Sequence, residues 1–268
     1  MSISRRNLLQ VTASGALLAG CSEGRPSGAA PAPAPGAASS PSAAYRSPSP
    51  SPAEPSPSGA TSAPPLPSGL PDQIEHGPRD RERLALTFHG QGEPALATAL
   101  LAEAEKAGAR VTVLAVGAWL DTYPRLARRI LDGGHELGNH TQTHGDIGAM
   151  DAAAATAEIE GCARRLTELT GSRGRWFRPS QARMATPLVV GLARKAGYPH
   201  VLSYDVDPLD YTDPGADRVR AAVAAQARAG SVVSLHFGHP GTVAALPGIL
   251  DDLHRRGLRA VTTSELLT

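Results

Sequence analysis

Gly134-His135-Glu136-Leu137-Gly138-Asn139-His140-Thr141-Gln142-Thr143-His144 is the most informative run in this chain. It sets two imidazoles, His140 and His144, four residues apart, just behind a short apolar segment and inside a glycine-bearing turn. Neutral imidazoles suit a borderline divalent ion, zinc above all. The spacing alone is weak: nine histidines in 268 residues yield roughly 0.3 such pairs by chance. The plain alternative is two solvent-facing histidines on a loop.

Outward from this run, short β-type segments alternate with longer helical patterns. Leu84–Phe88 reads as a strand, and Pro94 to Ala107 as a helix with Pro in its first turn and Gly108 at its stop. Val111–Val116 is apolar enough for a strand buried on both faces. A helix follows from about Tyr123 to Asp132. Asp151 is placed to cap a helix reaching Thr170, with Ile159, Cys162, Leu166 and Leu169 on one face and Gly171 beyond its end. That face accounts for Cys162 as a core residue. Trp176-Phe177 and His200–Val206 read as strands. Thr186-Pro187 and Asp213-Pro214 each look like a cap followed by a first-turn proline. Val232–Leu235 and Arg259–Val261 are further strands, with a helix interrupted by Pro247 between them. Repeated strand–helix units mean an α/β fold with parallel strands, either doubly wound or a barrel.

The N-terminal part has a different character. Residues 1–21 read as an export signal with a twin-arginine pair, Arg5-Arg6, an apolar run from Val11 to Ala19, and a lipobox-like Leu18-Ala19-Gly20-Cys21 that makes Cys21 the expected lipidation site. The run is too short to span a bilayer. Residues 22–79 are rich in Pro, Ala and Ser and should form a disordered tether. The expected folded domain is 80–268. Together these features predict an exported protein, lipid-anchored at the outer face of the cytoplasmic membrane and reaching into the cell wall. With 26 basic and 25 acidic residues, and no basic stripe, nucleic acid is not an expected partner.

Three further segments complete a pattern: Arg178-Pro179 behind Arg175-Trp176-Phe177, Asp207-Pro208-Leu209-Asp210-Tyr211, and Ser234-Leu235-His236. With the opening run, they resemble, in order, the motifs of the polysaccharide deacetylase family (carbohydrate esterase family 4). The resemblance spans about Leu84 to Leu267. It implies a distorted (β/α) barrel with about seven strands, and metal-dependent removal of acetyl groups from N-acetylated amino sugars of cell-wall polysaccharide. Carried over residue by residue, His140 and His144 match metal ligands and His236 the general acid. Asp210 matches the carboxylate that orients it, and Arg178 the residue that holds the base carboxylate. Gln181 stands where the family uses a backbone N–H to bind the oxyanion, and Tyr211 matches an aromatic wall.

The first motif departs from the family. Thr-Phe-Asp-Asp-Gly is expected, and Thr87-Phe88-His89-Gly90-Gln91-Gly92 is present. The base Asp is replaced by His89 and a ligand Asp by Gly90. Strand alternation puts His89 in the base position, while its longer reach also allows a third metal bond. If His89 is the base, Asp146 and Glu93 are the candidate ligands. Arg178, lacking its usual carboxylate, is expected to pair with Asp207 or Asp210. Two functions follow: a divergent hydrolase, favoured because the acid-side motif survives, or a wall-tethered glycan-binding pseudoenzyme.

Overall fold

The computed structural model describes residues 65–268. The expected signal, Cys21 and most of the tether lie outside these residues. The folded chain reaches further back than the expected start at 80. Leu66 and Leu70 pack against buried Ile74, Leu202 and Leu266. Strand β1 (Gln73–Ile74) pairs in parallel with β5 (Val201–Leu202). The Gln73 side chain donates to the Ala185 carbonyl and accepts from its N–H. Three apolar side chains within a proline-rich composition are enough to dock this stretch.

The central ladder is wholly parallel. β4 (Glu136–Asn139), β3 (Thr112–Ala115), β2 (Arg83–Gly90) and β6 (Val232–His236) pair in that order, and β7 (Arg259–Val261) also pairs with β2. On the far side pairing thins to single bridges, Asn139 to Phe177, Phe177 to Val201 and Val206 to Val233. The described residues hold seven strands, with β1 not expected from the sequence and the strand expected at Trp176-Phe177 reduced to those bridges.

Alternation along β2 decides what faces where. Leu84, Leu86 and Phe88 join the outer core with Val113, Ala115, Val233 and Leu235, under helices α1 (Pro94–Lys106), α6 (Ala216–Gln226) and α7 (Pro240–Arg255). Ala85 joins the inner core with Leu114, Trp176 and Val232. Thr87 and His89 follow on that inner face, nearer the strand's C-terminal end, where the open side of an α/β barrel places its chemistry.

Several elements differ from the sequence reading. The helix expected from about Tyr123 to Asp132 is present as α3 (Arg125–Asp132), and a short helix not expected from the sequence, α2 (Gly117–Thr122), precedes it. Helix α4 (Ala152–Thr170) has the expected caps, Asp151 accepting from Ala154 N–H and Gly171 at φ 80°, and Cys162 is buried. Thr186 caps α5 (Pro187–Lys195) as expected. The strand over 200–206 shrinks to β5 and the bridge at Val206. Helix α7 runs through Pro247 without a break. Asp213 does not cap α6, whose first flanking residue is Gly215. A short closing helix, α8 (Thr263–Leu267), has a full capping box between Thr262 and Glu265.

Candidate active site

The opening run serves both ends of the barrel. At its start, Glu136 accepts from Thr112 Oγ1 and from the N–H and hydroxyl of Ser264, tying β4 to β3 and α8. Burial raises its carboxyl above the usual range, against those hydrogen bonds. Gly138 is needed because any Cβ there would lie 2.7 Å from the Trp176 carbonyl. Asn139 is buried and fully used: Nδ2 donates to the Ile159 carbonyl and the Tyr198 hydroxyl, and Oδ1 accepts from Thr141 N–H. This pins the turn that follows β4, and the turn presents His140 and His144.

That turn holds two non-glycine residues in the left-handed region, Thr141 at φ 68° and His144 at φ 62°. Such geometry costs of order 1–3 kcal/mol per residue and persists where its surroundings fix it. Here Thr141 Oγ1 accepts from His144 N–H, and Thr143 is held by Glu158. His140 Nδ1 donates to the Arg178 carbonyl at 3.0 Å. Its Nε2 is therefore the unprotonated, electron-pair nitrogen, and it is buried without a hydrogen-bond partner among the described residues.

His89 joins this pair. Its ring centroid lies 4.2 Å from that of His140, and His140 and His144 stand 4.8 Å apart. One ligand nitrogen from each of the three lies within 4.8 Å of the others. Three nitrogens about 2.1 Å from a tetrahedral zinc stand about 3.4 Å apart, so small ring movements separate this cluster from a coordination set. Burial is the main reason that His89 and His140 have pKa values well below the ordinary histidine value, and His144 is lowered too. All three are thus in the neutral form that binds metal. The orphaned Nε2, the donor set and the protonation states fit a divalent ion.

The expected alternative ligands are elsewhere. Asp146 caps a short turn by accepting from Gly148 N–H, and Glu93 flanks the start of α1; neither joins the cluster. Gly90 faces away from it. A Cβ at residue 90 would lie 2.9 Å from Val113 Cγ1, 3.0 Å from Ala115 Cα and 3.2 Å from Trp119, all in the outer core.

Asp210 and His236 come together. Asp210, 1% exposed, accepts from His236 Nδ1 at 2.7 Å, from His236 N–H and from Thr242 Oγ1. Thr242 had no sequence signal of its own. The expected pairing of Arg178 with Asp207 or Asp210 is not found. Arg178 is fully buried and donates instead to the carbonyls of Leu202 and Ser203, with Nη1 unpartnered. Burial lowers its pKa to about 10. Asp207 accepts from Leu209 N–H through Oδ1, and Asp210 is bonded to His236. Gln181, at φ 55°, donates its amide to the His144 carbonyl. Tyr211 is 47% exposed, edge-on to His236 at 5.3 Å. His89, His144, Gln181, Tyr211 and His236 all line one open cavity of about 430 Å³.

The polysaccharide deacetylase family pattern matches residues 76–201. A peptidoglycan-N-acetylglucosamine deacetylase of Bacillus cereus is 32% identical over 197 residues, covering 71% of this chain and 90% of the relative. The chain belongs to the polysaccharide deacetylase family. A second relative in this family, a chitooligosaccharide deacetylase of Bradyrhizobium, is 30% identical over 169 residues, covering 54% of this chain and 73% of its own. Among solved structures, a carbohydrate esterase family 4 pseudoenzyme from Bacillus anthracis superposes with a TM-score of 0.70 at 23% identity, covering 74% of this chain and 70% of that one. At that identity the superposition speaks for the deacetylase fold alone.

Proposed function

We propose that this chain is a metal-dependent hydrolase that removes acetyl groups from N-acetylated amino sugars of cell-wall polysaccharide. The observation that carries the reading is the meeting of two clusters in one cavity: His89, His140 and His144 beside the His236–Asp210 pair. In this proposal the three histidines hold zinc, with His89 as third ligand in place of the family's carboxylate. A divalent ion in such a set polarises an amide carbonyl and acidifies water.

The chain's own residues divide the remaining work. Asp210 fixes the His236 ring with its Nδ1–H toward the carboxylate, leaving Nε2 to exchange protons. With His89 given to the metal, His236 takes the proton of the attacking water and returns it to the amine nitrogen as the C–N bond breaks, as a single histidine does in acyl transfer. Water adds its oxygen to the acetyl carbon, and the products are acetate and the free amine. Gln181 lines the same cavity, and in this proposal its backbone N–H binds the carbonyl oxygen as charge builds. Arg178 has lost its carboxylate partner and keeps the strand ends together through Leu202 and Ser203. The proposed setting is outside the cell, on a lipid anchor at Cys21 reached through the tether.

A second reading has its own observation. Among the described residues no carboxylate joins the three histidines, and the position where the family has its ligand Asp is turned into packed core at Gly90. On that reading the protein binds glycan without cleaving it. Metal analysis and acetate release from N-acetylglucosamine oligomers, on wild type and His89→Ala, separate the two. Near-stoichiometric zinc with acetate release that His89→Ala abolishes supports the hydrolase. Glycan binding with no acetate release in the zinc-loaded wild type supports the binding protein.

A further inference from the structure

The row of imidazoles continues past the acid pair. His144, His140, His89 and His236 are followed by His239, whose ring lies edge-on to His236 with centroids 5.9 Å apart. His239 lines the same cavity, and its Nδ1 donates to Asp213 Oδ1 at 2.9 Å. Held in that tautomer, the ring's Nε2 is a hydrogen-bond acceptor.

Two ordinary explanations for the pair fall short. His239 flanks the start of α7, but its side chain makes no capping bond. As an ion pair it would add little stability, since the Asp213 side chain is 64% exposed and solvent screens it. Yet the backbone is bent to build it. Leu209 at φ 54° and Asp213 at φ 52° bracket the turn Asp210–Thr212, a left-handed geometry that Asp adopts more readily than most residues and that Leu avoids. That one turn aims Asp210 at His236 and Asp213 at His239.

The His239 turn is also pressed onto the altered first motif. Gly92 sits at φ +102°, and a Cβ there would lie 2.5 Å from Gly238 Cα. The Gly92 carbonyl in turn accepts from Trp119 Nε1 at 2.7 Å. The loop that lost its carboxylates thus supports the histidine at the cavity rim.

We propose that His239, oriented by Asp213, is a substrate-contacting residue: its Nε2 accepts a hydrogen bond from a hydroxyl group of the sugar unit adjoining the one that reaches His236. The ligand class is a hydroxyl-rich pyranose chain. This rests on the glycan reading above, but its test does not require turnover.

The test uses the full, zinc-loaded chain and the β-1,4-linked pentamer of N-acetylglucosamine, with calorimetric affinity and steady-state acetate release measured together. His239→Ala and Asp213→Asn should each weaken pentamer binding and raise KM by about 3- to 10-fold, the scale of one neutral hydrogen bond, with kcat less affected. His239→Gln, whose amide oxygen accepts the same hydroxyl, should recover most of the affinity. Wild-type affinity in both His239→Ala and Asp213→Asn overturns the proposal. So does a loss confined to kcat, which would mean His239 acts through His236, and so does a wild type that binds no pentamer. If wild type binds the pentamer but releases no acetate, the hydrolase reading fails and the affinity comparison still decides the role of His239.

Discussion

His89 and His236 are register partners across the β2–β6 ladder, and their ring centroids lie 4.2 Å apart. Residues paired on adjacent parallel strands share a face. Position 89 therefore touches the acid pair on one side and His140 on the other. A single residue joins what the motifs suggest are two separate parts of the site.

Metal uptake should separate these neighbours. His140→Ala and His89→Ala are expected to lose stoichiometric zinc, measured by elemental analysis after dialysis. His236→Ala, one ring further along, should retain it. Retention of full zinc by His89→Ala would return His89 to the base role.

Asp210→Asn should leave zinc content intact and lower kcat by about 10²- to 10⁴-fold, the range for a mispositioned proton-transfer histidine. An amide next to Nδ1 no longer selects the tautomer. Thr242→Val removes one of three donors to Asp210 and should cost less. Acetate release at saturating substrate checks both.

Gly90→Ala should destabilise the protein by about 1–3 kcal/mol, because the added methyl overpacks against Val113 Cγ1 and the Ala115 backbone. Val113→Ala in the same chain should recover part of that loss. Denaturant midpoints of the two single variants and the double variant form the cycle that checks it.

The metal-free protein should lose stability as pH falls below about 6.5. His89, His140, His144 and His135 all have lowered pKa values in the folded state, chiefly through burial. The unfolded chain then binds more protons than the folded one, so their contribution is complete above the unfolded value and lost as pH drops through the folded ones. Chemical denaturation in chelator at pH 7.5 and 5.5 measures the slope, and His135→Gln should flatten it without touching the His89, His140 and His144 cluster.

Truncation before Gly77 should lower the melting temperature and broaden the transition. It removes β1, Leu66 and Leu70, and the paired hydrogen bonds of Gln73 to Ala185. Thermal unfolding of the chain starting at residue 65 is the comparison.

Much of this architecture is legible from residue order. Strand alternation in Leu84–His89 separates outer core from site, and the caps Asp151, Thr186 and Gly171 behave as their residue types dictate. The two histidines after Asn139, and the pairing of Asp210 with His236, follow from motif order. What sequence hides is geometry that depends on distant partners. Arg178 finds the carbonyls of Leu202 and Ser203 where a carboxylate was expected, and Asp210 is turned to His236 instead. Asp213-Pro214 reads as a helix cap, yet Asp213 turns to His239. The left-handed turn at Thr141 and His144 has no glycine or asparagine at the strained positions to announce it.

The packing around Gly90 sets what it would take to restore a carboxylate at this strand end. Val113, Ala115 and Trp119 now fill the ground that a side chain at residue 90 would need, and the Trp119 ring is fastened to Gly92. A reverse mutation to Asp meets that crowding before it can offer anything to the histidines. Restoring the carboxylate is therefore a matter of order: trimming the outer core at Val113 first should ease a step to Asp that the present packing opposes.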